Sequence, residues 1–302
     1  MTQQGASVVW TDSLARFKVF GALTPKAFVD KCSQVPADSV STTATVFIDI
    51  LRATTTLVAV AAAGATAVFV DVKPETGDYP FTPPDNLVGF DQWVYGGELD
   101  GRPIIGTGLD GEAVQASVGN SPTSIQLGQF ENTALRFFST NGSRALGALM
   151  LARPMSIHAM SMANLDKTID QVLEGSPERI WLACGGFYGG MALEDTVAGG
   201  FAVMRILNAG FATEDELDDE ALTMLMLARY YMETDYRLRG DLLTSRLQNL
   251  QVGSLLTKIG HASDIQASLE GTGMQTGLWE AMSRVTLSIP SPSVPLLITG
   301  TA

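Results

Sequence analysis

Three stretches of this chain place acids, hydroxyls, arginines or glycines directly after an apolar run, where a strand end would carry them. The first is Asp49-Ile-Leu-Arg52-Ala-Thr54-Thr55-Thr56. An aspartate at the carboxyl end of a strand can reach a metal or a nucleophilic water. An arginine and the N–H groups of a helix start can hold an anion, helped by the positive end of the helix dipole. The competing reading is that the threonines only cap the helix and Arg52 pairs with a surface carboxylate. The second stretch is Ser139-Thr-Asn141-Gly142-Ser-Arg144, which suits phosphate or carboxylate binding at another helix start. As a bare capping turn it needs only Gly142 in a left-handed conformation.

The third stretch runs Gly185-Gly186-Phe187-Tyr188-Gly-Gly190-Met191-Ala-Leu-Glu194-Asp195-Thr196. Its glycines permit close backbone approach to a ligand. Glu194 and Asp195 are adjacent, so only one is expected to point straight at a site, and paired acids at a helix start also simply complement the dipole. Two further turns add polar groups: Gly96-Gly97-Glu98 supplies a carboxylate, and Gly119-Asn120-Ser121-Pro122 an amide. His158 and His261 lie far apart with no metal-ligand spacing, and His158 reads as a structural residue inside a strand. No G-x-S-x-G elbow, Walker A loop or G-x-G-x-x-G fingerprint occurs. Cys184 reads as a small core residue, and Met224, Met226 and Met232 as core positions of a helix.

The elements that must position these groups alternate. Residues 44–50 are β-branched and apolar on both faces, like a buried strand; an alanine-rich helix to residue 63 follows, stopped by Gly64, and residues 67–71 form the next strand. Residues 74–120 are punctuated by proline and glycine and read as loops with short strands, including 93–95. Further strands are expected at 136–139, 155–160, 179–184 and 294–299. Helices are expected from Asn141 or Ser143 to Met150, over 165–173 with Asn164 as cap and Gly175 as stop, and over 193–207 ended by Gly210. Thr213 with Glu216 fits a capping box opening a helix to about residue 234. This alternation predicts an α/β protein, a three-layer α/β/α arrangement with a mostly parallel sheet.

The 302 residues are 46% hydrophobic and 17% charged, a composition for a buried core rather than disorder. A net charge of −13 argues against nucleic acid as a partner, so an anionic ligand needs local arginines, N–H groups or a metal. Two cysteines at no ligand spacing suit a reducing compartment, and Met1 to Trp10 lacks a signal-peptide pattern. With no long apolar run, no membrane span is expected, and the cytoplasm is the expected location.

Taken together, Val46-Phe-Ile-Asp49-Ile-Leu-Arg52-Ala-Thr-Thr-Thr56, Gly96-Gly-Glu98, Gly119-Asn-Ser-Pro122, Thr140-Asn-Gly-Ser-Arg-Ala145 and Leu193-Glu-Asp-Thr196 resemble the 2-phosphosulfolactate phosphatase family in type and order. The resemblance covers about residues 44 to 208. It implies magnesium-dependent release of phosphate from a 2-phospho-3-sulfolactate-like acid, a step towards coenzyme M. It also implies two related halves, drawn here as residues 1–130 and 131–302 with the site between them. On that resemblance Asp49, Glu98 and Asp195 are the expected metal ligands or general base. Arg52, Asn120, Asn141 and Arg144 are expected to hold phosphate and acid groups, with Thr54, Thr55, Ser121, Gly142, Gly186 and Glu194 completing the substrate site.

The chain departs from the family pattern in three places. Leu99 stands where an arginine usually follows Gly-Glu, residues 107–116 are additional, and Phe187, Tyr188 and Met191 make the glycine loop more apolar. A bulkier or less anionic substrate explains all three, so a lyase or hydrolase acting on another small molecule is the alternative activity. A scaffold protein without turnover is the third reading, and the retained buried charges speak against it. Base rates of oligomers favour a homodimer.

Overall fold

The computed structural model describes residues 17–70, 92–107, 112–233, 237–289 and 299–301. The apolar run becomes β2 (Thr43–Ile48), buried at all six positions because it lies inside a sheet covered on both faces. Its neighbours are β10 (Arg179–Cys184) and β9 (Ser156–Met160), both parallel to it, and β1 (Lys18–Ala22) runs parallel to β10 at one edge. Beyond β9, β11 (Thr286–Ile289) and β12 (Thr299–Thr301) are antiparallel, giving the order β1-β10-β2-β9-β11-β12. A second sheet is built from β3 (Ala67–Val70), β8 (Thr133–Phe138) and β4 (Gln92–Leu99) in parallel, with β5 (Arg102–Pro103) antiparallel at its end. A small hairpin pairs β6 (Ile105–Thr107) with β7 (Ala113–Gln115) across much of the additional segment. Both large sheets draw strands from either side of residue 130.

Alternation along each strand separates two cores. Ala44, Val46 and Ile48 join Ile180, Leu182 and Cys184 on one face, and Phe47 joins Trp181 and Ala183 on the other. The first core is closed by α5 (Leu165–Glu174), α6 (Leu193–Asn208), α7 (Asp219–Tyr230), α8 (Gly240–Gln248), α9 (Gln251–Lys258) and α10 (Ser263–Glu270). The second holds α1 (Pro25–Ser33), α3 (Ala53–Ala62), α4 (Gly142–Leu151) and α11 (Leu278–Met282). A single turn, α2 (Ala37–Val40), links α1 to β2. The predicted α/β class, mostly parallel with helices on both sides of the sheet, is the one observed.

Helix α3 is buried from Ala53 through Val60 because it shares the second core with both sheets, which explains its Ala, Val, Thr and Leu composition. Helices α6 and α7 approach so closely that a Cβ on Gly200 would sit 2.0 Å from the Met224 carbonyl oxygen. Met224 is therefore core as expected, whereas Met226 is about half exposed.

Some boundaries differ from expectation. The capping box of Thr213 and Glu216 forms, but it closes a 3-10 turn at Glu214–Glu216. Helix α7 starts instead at the second cap, Asp218, and stops at Tyr230. Asn164 stands at the N-cap of α5, yet its side chain bonds Ser161, the Ala159 carbonyl and the Val285 carbonyl, stitching β9 to β11. Strand β4 runs eight residues rather than three. The strand expected at 294–299 falls mostly outside the described residues, as do 71–91 of the loop-rich stretch. Among the described residues no helix is long and apolar enough to cross a membrane.

His158 is the satisfied strand histidine its setting suggested: Nε2 lies 2.8 Å from Ser156 Oγ and Nδ1 lies 3.3 Å from Gln171 Oε1. Burial lowers its pKa to about 4, against the opposing pull of the Gln171 contact. A depressed histidine adds stability above its unfolded pKa of about 6.5, and that stability is lost as pH falls towards the folded value. Between about pH 7 and pH 4.5 the loss amounts to about 2–3 kcal/mol. Urea unfolding of wild type and His158→Gln at both pH values should show the variant losing less by that amount; equal losses would refute it.

Candidate active site

Asp49 leaves the end of β2 and is the point where the three turns converge. Its Oδ1 accepts the Ala53 N–H at 3.1 Å, and its backbone carbonyl accepts both the N–H and the hydroxyl of Thr54. Thr55 Oγ1 donates to the Ile50 carbonyl at 2.9 Å. Both threonines are fully buried, so their hydroxyls hold the turn shut rather than face a ligand. The other two turns close on Asp49 with glycine: a Cβ on Gly142 would lie 2.8 Å from Asp49 Oδ2, and one on Gly185 equally near. Any larger residue at either position displaces the aspartate.

Glu98 is fixed by the start of α4. Thr140 N–H donates to Oε1 at 2.7 Å, while Thr140 Oγ1 and the Gly101 N–H reach Oε2. Gly97, at φ +112, lets β4 pass the Phe138 carbonyl, which a Cβ would strike at 1.8 Å. Asn141 accepts from the Tyr188 N–H at 3.3 Å, joining the second and third turns. Arg144, grouped with these residues by its motif, is exposed on α4 and is absent from the residues lining the cleft.

Asp195 at the start of α6 accepts from Ile50 N–H at 2.8 Å and Gly186 N–H at 3.0 Å, binding the first turn to the third. Gly186 makes this possible at φ +67, where a side chain would meet the Gly190 carbonyl. Adjacency of Glu194 and Asp195 suggested that only one would face the site. Instead both are buried and both sense the charge of Asp49, and Glu194 Oε2 has no hydrogen-bond partner. Burial raises the carboxyl of Glu194 to about 7, with its own N–H opposing and the charge of Asp49 adding. Burial likewise lifts Asp49 to about 6; the Ala53 N–H and Arg52 pull it down, and Glu98 pushes it up. Asp195 is raised well above the carboxylate range by burial, Glu194 and Asp49.

Arg52 Nη1 lies 2.7 Å from Asp264 Oδ2, a fully buried carboxylate of α10. The arginine partner is thus buried, not on the surface as the simpler reading of the motif had it. Asn120, also buried, leaves Oδ1 without a partner, and Ser121 Oγ donates to Asp264 at 2.7 Å. The resulting cleft has a polar side of Arg52, Glu98, Asn120, Thr140 and Asn141. Its apolar side comes from Phe187 and from α9, through Val252, Leu255, Leu256 and Ile259. Neither Asp264 nor α9 stood out in sequence: an aspartate in a first helical turn looks like a dipole complement, and α9 like any amphipathic helix. A larger cavity of about 570 Å³, lined in part by Met204, Thr213 and Arg229, holds no such cluster of buried acids, and its arginine is bound to Glu214.

The family profile described as 2-phosphosulpholactate phosphatase matches residues 30–274. A "Probable 2-phosphosulfolactate phosphatase" of Cyanothece sp. (strain PCC 7425) is 29% identical over 253 residues, 82% of this chain and 90% of the relative. Proteins of the same name from Synechococcus sp. (strain JA-2-3B'a(2-13)) and Thermosynechococcus vestitus are 30% and 28% identical, over 66% and 77% of this chain and 75% and 86% of their own lengths.

The raised acids make the protein sensitive to alkali. A carboxyl raised in the folded state contributes stability below its unfolded pKa, and that stability is lost as pH rises through the folded value. For Glu194 the window runs from about 4.5 up to about 7. In chelator, wild type should lose stability from about pH 5 to pH 8, and Glu194→Gln should recover on the order of 2–3 kcal/mol of that loss. Parallel pH profiles for the two proteins in thermal unfolding would overturn this.

Proposed function

The chain belongs to the 2-phosphosulpholactate phosphatase family, and on that premise we propose that it hydrolyses the phosphate ester of a small hydroxy acid such as 2-phospho-3-sulfolactate. The observation that carries the reading is the gathering of Asp49, Glu98, Glu194 and Asp195 at the strand ends, with Arg52 as the one cation among the residues lining the adjoining cleft. Acids so placed, out of water and near one another, fit a divalent cation. Among the described residues no three His, Cys, Asp or Glu side chains form a ready-made cage. Magnesium keeps several waters and takes one or two carboxylates plus the substrate phosphate. Of the three expected ligands, Glu98 and Asp195 have both oxygens in hydrogen bonds. Asp49, through Oδ2, and Glu194, through its unpartnered Oε2, have the least committed oxygens and are the residues that would hold it first, with Glu98 and Asp195 beside them. When bound, magnesium supplies positive charge against the phosphoryl oxygens.

The protein's own groups account for the remaining work. Arg52 offers the N–H groups not committed to Asp264 to the phosphate, and the Asn120 amide lies beside it. A carboxylate of the cluster that the metal does not engage takes the proton of the attacking water. The water oxygen bonds to phosphorus as the ester P–O bond breaks, and the same proton passes to the leaving oxygen. Phe187 and α9 exclude bulk water from that side.

A less anionic phosphoester is the second reading. It is favoured by the lone, already paired arginine and by the apolar wall of Val252, Leu255, Leu256 and Ile259. Phosphate release should be measured with 2-phospho-3-sulfolactate and with uncharged-tail phosphomonoesters, each with magnesium and with chelator. Turnover should need magnesium, and Asp49→Asn should lower kcat by at least about 100-fold. No release from any ester by folded protein would dismiss a phosphatase altogether.

A further inference from the structure

Asp264 lies in the first turn of α10, 212 residues after Arg52, and has no solvent exposure. Its two oxygens serve two different segments. Oδ2 accepts from Arg52 Nη1 at 2.7 Å, with His261 Nδ1 3.4 Å away. Oδ1 accepts from Ser121 Oγ at 2.7 Å and Thr123 Oγ1 at 2.8 Å. A guanidinium is planar, so fixing one terminal nitrogen directs the rest of its N–H fork. The Ser121–Thr123 turn immediately follows Asn120, whose buried Oδ1 has no partner.

We propose that Asp264 is a positioning residue for ligand binding, one carboxylate that aims Arg52 and sets the Asn120 turn against the same anion. The inference rests on the phosphatase reading of the cleft. It differs from an ordinary buried ion pair in what it predicts. Both cleft-facing groups are held by hydrogen bonds that a neutral amide can also make, so geometry and not the charge of Asp264 is what binding requires.

Inorganic phosphate binding by calorimetry, with KM and kcat for whichever phosphomonoester is turned over, tests it on Asp264→Ala and Asp264→Asn. Asp264→Ala should raise both the phosphate Kd and KM by about tenfold or more, with kcat within about threefold of wild type. Asp264→Asn should return Kd and KM to within about threefold of wild type, because its amide accepts from Arg52 and donates to the hydroxyls. Adding Asp264→Ala to Arg52→Gln should cost less affinity than it does in wild type, the remainder being the share of the Asn120 turn. A folded Asp264→Ala protein with unchanged Kd and KM would overturn the proposal, and so would an Asp264→Asn protein as impaired as the alanine variant. If Asp264→Ala does not fold, Ser121→Ala with Thr123→Val carries the same test: KM raised by about threefold or more supports the proposal, and unchanged KM overturns it. Wild type that neither binds phosphate nor turns over any ester would instead remove the phosphatase reading, and this inference with it.

Discussion

Carboxylates taken out of water repel one another and favour their neutral forms, and the strand ends of this protein gather several within reach of Asp49. Much of the local structure answers that constraint. Backbone N–H groups from Ala53, Ile50 and Gly186 are spent on Asp49 and Asp195, and Thr140 with Gly101 is spent on Glu98. The glycines of the second and third turns serve the same end, since a side chain at Gly142 or Gly185 would occupy the space of the Asp49 carboxylate. Stability is given up at this cluster, and the well-packed scaffold around it holds the acids together.

The reading from sequence succeeded where periodicity and turn chemistry act locally. Strand β10 was legible to the residue because an apolar, β-branched and aromatic run stops at a double glycine. The turn after β2 was legible because a buried apolar run gives way to an acid, an arginine and three threonines, two of which bond back to the turn's carbonyls. What local pattern could not reveal was partnership across the chain. The Arg52–Asp264 pair spans 212 residues, and β1 lies beside β10 rather than beside β2, its neighbour in sequence. The capping box at Thr213 misled because it is a local device, equally able to close a 3-10 turn when a better cap, Asp218, follows.

The two sides of the cleft arise from different parts of the architecture. Its polar side comes from turns anchored on parallel strands, which are held by the sheets. Its apolar side comes largely from α9, which belongs to the chain of short helices after α7 and joins the first core through Val252 and Leu256. The polar and apolar sides of the cleft thus belong to separate structural units.

Helix α3 has a consequence of another kind. Eight successive residues, from Ala53 to Val60, are enclosed, and the helix touches the large sheet on one side and the small sheet on the other. It works as a keystone: relative movement of the two sheets would have to pass through it, and its first turn is the one that grips Asp49. The acid cluster is therefore tied to the part of the fold that joins the two sheets, and a shift of either sheet would be felt at Asp49.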